Sequence, residues 1–450
     1  MQVTAPPRPP RPPGPKGQFL LGNLPALGKD LIGFLTRCAR DYGDIVALRL
    51  FNMPAFLLNN PDLIEYVLVT NQRNFIKHSF FWRHVTAVFG NGLLTSEGDF
   101  WLRERRLCQP AFHREQVAAY GAVMVDFTER AVAEWRDGDV RDVHQDMMRL
   151  TSRIAAQTLL GADVASEVDQ VEPALDTVIE QIAVRFKRPF AFPDAVPTPG
   201  NLRYRKAVNR LNDLIYKVIR ERRAATSPSD DLLSLLLHAQ DTDGTRMTDQ
   251  QLRDEAITLF LAGHETTALA LSWTWYLLSQ HPEVETKLWA ELAAVLGGRA
   301  PSVADLARLH YTGMVVMESL RLYPPAYVMG REAVNDCEIG GYPVRRGSTV
   351  FVSQWLMHHD ARYFENPDAF IPERWADGLA KRLPKYAYFP FGGGPRMCIG
   401  SNFAAIEAAL LLATIAQRFR LTLVPGHPIE LLASITLRPK HGIRVRLARR

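Results

Sequence analysis

The residue of this sequence with the most distinctive chemistry is a cysteine in a glycine-rich turn. Cys398 lies in the stretch FGGGPRMCIG at 391–400, which no regular helix or strand would accept. Apolar spacing predicts a helix from Asn402 to Phe419, so Cys398 precedes a helix N-terminus, where the helix dipole favours the thiolate. A soft thiolate near Arg396, without a second Cys or His nearby, suits a single-thiolate metal site such as that of haem iron. The simpler alternative is a small buried cysteine, which leaves the glycines and Arg396 unexplained.

A second stretch, LFLAGHETTA at 259–268, breaks several local rules inside one long apolar helix. Gly263 costs that helix about 1 kcal/mol relative to Ala. Thr266 can bond back to the preceding turn, and Glu265 must avoid burial or find partners. Clusters of such misfits are where functional sites are expected. The alternative is a core helix kinked at Gly263 with Glu265 exposed to water.

Together, the two stretches resemble the cytochrome P-450 superfamily, and further matches extend the resemblance over nearly the whole chain. The turn matches the haem-binding signature F-x-x-G-x-R-x-C-x-G at Phe391, Gly394, Arg396, Cys398 and Gly400. The resemblance implies that the cofactor is haem b and that Cys398 is its axial thiolate ligand.

The helix stretch is similar to the oxygen-binding groove of that family, A-G-x-[DE]-T-T, which begins here at Ala262. In the family the alcohol holds dioxygen and a water, and the acid feeds protons. The resemblance therefore implies that Thr266 is the catalytic hydroxyl and Glu265 the proton-relay carboxylate.

Glu318 and Arg321 lie three residues apart on one predicted helix face. Alone they indicate a surface ion pair of little energetic value. They match the family's E-x-x-R motif, which pairs with an Arg of a P-E-R stretch, here Arg374. The resemblance implies a structural triad of Glu318, Arg321 and Arg374 that braces the cysteine loop.

Haem carries two propionates, so cations must point at one edge of its pocket. Trp101 and Arg105 are four residues apart on a predicted helix and match the family's W-x-x-x-R pair. The resemblance implies that Arg331, which opens a strand, also binds a propionate. It places Arg396 two residues from the iron ligand Cys398. Arg103 and Arg106 are predicted to be solvated, as part of a basic face for an electron donor.

The resemblance also implies which residues face the substrate. These residues are small or aliphatic: Leu94, Ala262, Ala326 and Ile435. An apolar pocket of this kind suits lipid, terpene or polyketide-like molecules. Apolar residues at such positions are also ordinary core, which is the alternative.

The elements that must position these residues are mainly helical. We predict helices near 30–42, 62–70, 100–110, 114–136, 143–160, 168–186, 199–223, 230–238, 248–279, 282–296, 302–308 and 311–322. Strands are predicted at 45–50 and 54–58 and within 331–353 and 431–447. The fold class is therefore mainly α with a smaller β region. By resemblance it is the cytochrome P-450 fold, with haem between the long central helix (about 248–279) and the Cys-loop with its C-terminal helix.

Composition excludes several other classes of protein. The four cysteines form no C-x-x-C pair, so neither a disulfide framework nor a zinc site is indicated. A net charge of +5 is too mild for a dedicated nucleic-acid binder but suits an acidic protein partner. Residues 1–17 form a proline-rich tail, and no apolar run is long enough to span a membrane. We expect one haem-thiolate domain over 18–450 in a cytoplasmic, monomeric protein of bacterial type.

The sequence thus predicts a haem-thiolate monooxygenase that inserts one oxygen atom from dioxygen into an apolar small molecule. No flavin or ferredoxin module is visible, so electrons are expected from a ferredoxin or flavodoxin with its NAD(P)H-dependent reductase. One alternative is a peroxide-driven haem-thiolate peroxygenase, which would not need the pair Glu265 and Thr266. The other is a non-catalytic haem-binding protein, for which no output module is visible.

Overall fold

The computed structural model describes residues 11–77, 85–161, 173–175, 177–182, 184, 196–224, 231–241 and 244–450. Of the predicted helix at 168–186, residues 173–175, 177–182 and 184 are described and are helical, and the rest lies outside the described residues. The described chain is mainly helical with small sheets, which confirms the predicted fold class. It groups into two compact units, and the assignment of a single domain over 18–450 stays a prediction. The first unit spans Met1–Arg83, Tyr327–Pro367 and Arg382–Met397, and the second His84–Ala326, Asp368–Lys381 and Cys398–Arg450.

The first unit is built on a five-stranded sheet. Its strand order is Ile45–Leu50, Met53–Leu58, Thr349–Val352, Met329–Ala333 and Phe75–Ile76. All pairs are antiparallel except that of Met53–Leu58 with Thr349–Val352. A separate hairpin joins Cys337–Ile339 to Tyr342–Val344. The inner strand Thr349–Val352 is buried on both faces, as expected where helices or loops cover a sheet.

Short helices and turns complete the first unit: Leu24–Lys29, Leu31–Tyr42, Pro61–Glu65, the π-helical turn Tyr66–Thr70 and Gln354–His358. The Asp30 side chain caps Leu31–Tyr42 by accepting the Gly33 N–H at 2.9 Å. The described end of the proline-rich tail is fixed, because the Pro13 carbonyl accepts the Ala47 N–H at 2.8 Å.

The second unit holds most of the helices. They are Thr86–Phe89, Gly98–Cys108, Arg114–Ala133, Val143–Ala155 with its π-helical end Ala156–Leu160, Pro199–Ala224, Leu232–His238, Asp249–Gln280, Pro282–Leu296, His310–Leu322 and Ser401–Arg418. A single turn, Leu379–Arg382, is also helical, and the predicted helix at 302–308 is a 3-10 turn, Val303–Ala307. Strands Val140–Asp142, Arg444–Arg449 and Phe419–Leu423 form one sheet, and Leu431–Ala433 pairs with Leu437–Pro439. No helix of the described chain is long and apolar enough to cross a membrane.

Asp249–Gln280, hereafter the central helix, lies at the centre of the second unit. A capping box of Thr248 and Gln251 begins it, because each side chain accepts the backbone N–H of the other residue. The helix is buried along nearly its whole length, but Ala262 in its middle is exposed. A lone exposed residue amid buried neighbours means that the packing opens at this point of the helix.

A buried carboxylate brace ties the helix His310–Leu322 to the segment 371–375 of the same unit. The Glu318 oxygens accept five hydrogen bonds: two from Arg321 at 2.8 and 2.9 Å and one each from Arg374 at 2.8 Å, Trp375 at 2.9 Å and the Ile371 N–H at 3.1 Å. The side chains of Glu318 and Arg321 are both 0% exposed. The surface ion-pair alternative is therefore wrong, and the three residues of the predicted triad do meet.

Substitution of Glu318 tests the brace. Glu318→Ala leaves the Arg321 guanidinium buried without its carboxylate, so we expect it to lower the free energy of unfolding by about 3–5 kcal/mol. Glu373→Ala is the matched control, because that neighbouring carboxylate is 41% exposed and pairs with Lys287 and the Tyr311 hydroxyl. It should cost no more than about 1 kcal/mol. Equal losses for the two variants in denaturant unfolding would contradict a structural role for Glu318.

Candidate active site

Cys398 lies where the glycine turn meets the helix Ser401–Arg418, and its side chain is exposed. The alternative of a buried structural cysteine is therefore wrong. Within the first unit, the turn depends on Gly394, which has a φ of +65°. A Cβ there would lie 2.0 Å from the Leu68 carbonyl oxygen, so any side chain would force the turn away. The sequence thus exposes a thiol directly before a helix N-terminus.

The helix Gly98–Cys108 contributes Trp101 and Arg105 to the same unit as Cys398. Trp101 is buried and Arg105 is half-buried. Burial lowers the pKa of the Arg105 guanidinium, and the charges of Cys398 and Cys108 partly offset that effect. Arg105 is therefore close enough to Cys398 for its positive charge to stabilise a thiolate there.

The other predicted cofactor contacts, Phe391, Gly394, Arg331 and Arg396, belong to the first unit. Arg331 is buried in the strand Met329–Ala333 and donates to the Gly330 carbonyl at 3.0 Å. In the same unit, buried His358 accepts the backbone N–H of Phe389 at 3.0 Å, just before the turn. The sequence did not reveal this contact, because 31 residues separate its two partners.

Thr266 lies one helical turn after the exposed Ala262. Its hydroxyl donates to the Ala262 carbonyl at 2.8 Å, as the sequence indicated for a threonine inside a helix. Because the proton is used in this way, the hydroxyl oxygen keeps its lone pairs for a donor from the open side of the helix. The structure thus places a hydrogen-bond acceptor at the point where the packing around the central helix opens.

Glu265 is held as an ion pair by the C-terminal hairpin. Its Oε1 accepts from Arg438 Nε at 2.8 Å and Nη2 at 2.5 Å and from the Thr436 hydroxyl at 2.5 Å. Burial alone would raise the pKa of Glu265, but the Arg438 charge and these hydrogen bonds more than offset it and lower the pKa. The carboxylate is therefore ionised at neutral pH. It is neither buried without a partner nor exposed to water, so the alternative of an exposed Glu265 is wrong.

The hairpin also links the chain near two predicted substrate-facing residues, Ala326 and Ile435, to the central helix. The Leu437 N–H donates to the Pro325 carbonyl at 3.0 Å, and the Trp273 indole N–H of the central helix donates to the Leu437 carbonyl at 3.0 Å. These bonds bring Ile435 and Ala326 towards the central helix. None of the four residues named for the pocket is fully buried, since Leu94, Ala326 and Ile435 are half-buried and Ala262 is exposed.

One carboxyl near this region is neutral. Glu407, on the helix after Cys398, is buried and hydrogen-bonds to Thr267, next to Thr266. Burial raises the pKa of Glu407 to about 8. The sequence gave no sign of this group, because an isolated Glu in an apolar helix is indistinguishable from a surface residue.

The basic face predicted from Arg103 and Arg106 needs one correction. Arg103 is only 20% exposed and bonds Glu104 at 2.7 Å, so the prediction that it is solvated is wrong. Arg106 is 53% exposed and reaches Asp241 at 3.3 Å. The intramolecular carboxylates attract Arg103 more strongly than water does, because Glu104 is itself buried.

These residues fit a haem with one protein thiolate. The sulfur is exposed, a cation lies near it, and the packing around the central helix opens at Ala262 and Thr266. Among the described residues, no group of three His, Cys, Asp or Glu side chains is placed to hold a bare metal ion. A single-thiolate centre would instead take its remaining ligands from a macrocycle, which is what haem provides.

Comparison with known proteins bears on the whole chain. The family model described as Cytochrome P450 matches residues 12–445. The cyclooctat-9-en-7-ol 5-monooxygenase of Streptomyces melanosporofaciens is 39% identical over 410 residues, covering 90% of this chain and 88% of the relative. The pentalenene oxygenase of Streptomyces avermitilis is 35% identical over 410 residues, covering 91% of each.

A solved structure agrees with these relatives. The cyanobacterial protein CYP120A1, with retinoic acid bound, superimposes with a TM-score of 0.88 at 28% identity, covering 98% of this chain and 99% of that one. These matches support an oxidoreductase of the monooxygenase type. Because the family model and the relatives cover almost the whole sequence, this chain belongs to the cytochrome P450 family.

Proposed function

We propose that this P450 inserts one oxygen atom from dioxygen into a terpene-like, largely alicyclic substrate. The observation that carries the proposal is the exposed Cys398 sulfur before the helix Ser401–Arg418, with the Arg105 charge acting on it. A thiolate held in this way is the protein ligand that favours O–O cleavage over reversible oxygen binding.

In this proposal the Cys398 thiolate would bind the iron of haem b. Trp101, Arg105, Arg331 and Arg396 would bind the propionates, and Phe391, Gly394 and Gly400 would shape the turn that presents the sulfur. When bound, the haem supplies the redox chemistry that activates dioxygen, while the protein supplies position and electrostatics.

Thr266 and Glu265 would manage protons. The Thr266 hydroxyl is fixed by its bond to Ala262, so its oxygen can accept a hydrogen bond and hold a water in the opening. Glu265 is ionised and paired with Arg438, so it would take up and release a proton only when that pair opens. A gated carboxylate of this kind limits the entry of protons to the part of the cycle that uses them.

The substrate class follows from the pocket residues and the relatives. Leu94, Ala262, Ala326 and Ile435 offer only aliphatic surface, which favours an apolar ligand. Two relatives are named for cyclooctat-9-en-7-ol and pentalenene, both terpenes. Among fatty acids, terpenes and polyketide-like molecules, these names favour the terpenes.

Electrons are proposed to come from a separate ferredoxin or flavodoxin with its NAD(P)H-dependent reductase. The net charge of +5 supports an acidic partner, because opposite charges speed encounter. The monomeric state and the cytoplasmic location stay predictions.

Isotopic labelling tests the function. The haem-loaded protein is incubated with pentalenene, a ferredoxin, its reductase, NADPH and labelled dioxygen, and a parallel sample receives hydrogen peroxide instead. We expect one labelled oxygen atom in the product of the first sample. A product formed equally well from peroxide alone would establish the peroxygenase alternative. Absence of product from a full panel of terpenes, fatty acids and macrolides would favour the non-catalytic one.

Cys398→Ser tests the ligand. A serine oxygen is a poor ligand for haem iron, so the reduced carbonyl complex should lose the red-shifted absorption band typical of thiolate ligation. Cys337→Ser is the control, because Cys337 is half-buried in a hairpin of the first unit and should leave the band unchanged. A Cys398→Ser protein that kept the band would show that another residue binds the iron.

Thr266→Ala tests proton management. Loss of the hydroxyl should leave folding and substrate affinity nearly unchanged, because Ala favours helix and the hydroxyl serves a later step. We expect most of the reductant to be consumed without product, with hydrogen peroxide released instead. Thr274→Ala is matched, since Thr274 makes the same bond to the carbonyl four residues earlier on the same helix but is buried. The assigned role is contradicted if product per reductant is the same in the two variants.

A further inference from the structure

A single turn of the central helix fastens the chain segment Phe89–Ser96. Asp254 Oδ2 accepts the Asn91 N–H at 2.8 Å, and Glu255 Oε2 accepts the Leu93 N–H at 3.1 Å. Carboxylates thus bind alternate backbone amides of the segment from adjacent positions of the helix. The chain after the helix Thr86–Phe89 acquires in this way two fixed backbone amides with one residue between them.

Two glycines allow the close approach. A Cβ on Gly90 would lie 2.1 Å from the Asp254 carboxylate, and one on Gly92 would lie 2.4 Å from Thr258 Oγ1. Gly90 also has a φ of +56°, which side chains disfavour. The two glycines therefore permit a contact between the segment and the central helix that side chains at these positions would block.

The two carboxyl groups differ in their surroundings. Asp254 Oδ1 accepts from Arg253 and Gln250, both at 2.8 Å, so Asp254 is fully bonded. Glu255 is 0% exposed, and no donor of the described residues reaches its Oε1. Burial raises the pKa of Glu255 to about 8. The charges of Glu104 and Asp254 also raise it, whereas the Leu93 hydrogen bond lowers it. Glu255 therefore holds Leu93 as a neutral acid at neutral pH.

The charged and titratable groups around Glu255 come from two helices. Asp254 lies on its own helix, and Glu104, paired with Arg103, and the buried thiol of Cys108 lie on Gly98–Cys108. A charge on Glu255 would therefore be added beside two other acids in a buried place. Water would have to enter to stabilise it, which would loosen the contact with Leu93.

The position of this contact on the helix relates it to the site. Residues recur on one face of a helix when they are seven or eleven apart, within about 20° of each other. Ala262 and Thr266 lie seven and eleven residues after Glu255, so all three share one face. Glu255 is about 10 Å from Ala262 along the axis. Leu94 follows the second anchored amide, so its backbone is held at the helix about 10 Å before Ala262.

We propose that Glu255 is a positioning residue for substrate selection, because it fixes the segment Phe89–Ser96 and thereby the place of Leu94 in the pocket wall. This inference rests on the proposed function, in which Leu94 contacts the substrate. Asp254 supplies the second anchor. A bulky ligand would depend on this anchoring, whereas a small ligand at the same site would not.

Hydrogen exchange of the haem-loaded protein, resolved to single amides by mass spectrometry, tests the anchor. Glu255→Leu keeps the volume and removes the acceptor, so the protection of the Leu93 amide should fall about tenfold. Glu255→Gln retains an oxygen acceptor and should preserve it. Amides of Val143–Ala155 report whether the variants fold. Unchanged protection at Leu93 in a folded Glu255→Leu protein overturns the proposal.

The pH dependence provides a second arm that does not require Glu255→Leu to fold. In the native protein, Leu93 protection relative to the intrinsic exchange rate should fall as the pH rises through about 8, where the pKa of Glu255 lies. Glu255→Gln cannot ionise and should lose this dependence. Glu407→Gln is the matched control, because it removes the other buried carboxyl with a pKa of about 8 and should retain the dependence. The same pH profile in Glu255→Gln as in the native protein overturns the proposal.

Ligand size tests the link to selection. Imidazole and 4-phenylimidazole both bind haem iron through nitrogen, and only the second carries a ring large enough to contact the proposed pocket wall. Glu255→Leu should weaken 4-phenylimidazole about tenfold and leave imidazole unchanged within about twofold. Equal effects on the two probes overturn the selection role, even where Leu93 has lost its protection. These readouts involve no turnover, so a failure of the proposed monooxygenase reaction would leave their pattern intact and is distinguishable.

Discussion

A thiolate can bind a metal only if its charge is stabilised and its sulfur stays uncovered, and much of this chain serves those two conditions. The glycine turn leaves Cys398 exposed, and the helix Ser401–Arg418 and Arg105 place positive potential near it. The turn is held from its own unit, where His358 binds the Phe389 amide and Leu68 leaves no room for a side chain at Gly394. The conditions conflict with ordinary packing, which would bury a free cysteine.

Burial acts differently on the carboxyl groups of the second unit, and the difference separates their roles. Glu318 and Glu265 each form an ion pair with a buried or half-buried arginine, which balances a carboxylate charge at both positions. No cation of the described residues pairs with Glu255 or Glu407, and burial raises the pKa of each to about 8. The paired acid Glu318 thus braces the structure, while the two acids with a raised pKa bind an amide and a hydroxyl partner. The central helix carries both kinds within about three turns.

The sequence predicted what depends on local spacing. The helix at 282–296 was predicted to the residue, the central helix within one residue at each end, and Glu318, Arg321 and Arg374 were brought together as the motif implied. It did not predict Arg438 as the partner of Glu265, because 173 residues separate them. The strand Phe419–Leu423 was missed because it begins where the preceding helix ends. The π-helical ends at Tyr66–Thr70 and Ala156–Leu160 were read as α-helix, since apolar periodicity barely distinguishes the two.

The central claim is that Cys398 provides the only protein sulfur on the haem iron. X-ray absorption at the iron edge of the purified, haem-loaded protein measures that bond directly, because sulfur scatters differently from the nitrogen or oxygen of other ligands. We predict one sulfur in the first coordination shell of the native protein and none when Cys398 is replaced by serine. A first shell of nitrogen and oxygen alone in the native protein, or a sulfur that persists in the Cys398→Ser protein, would contradict the account.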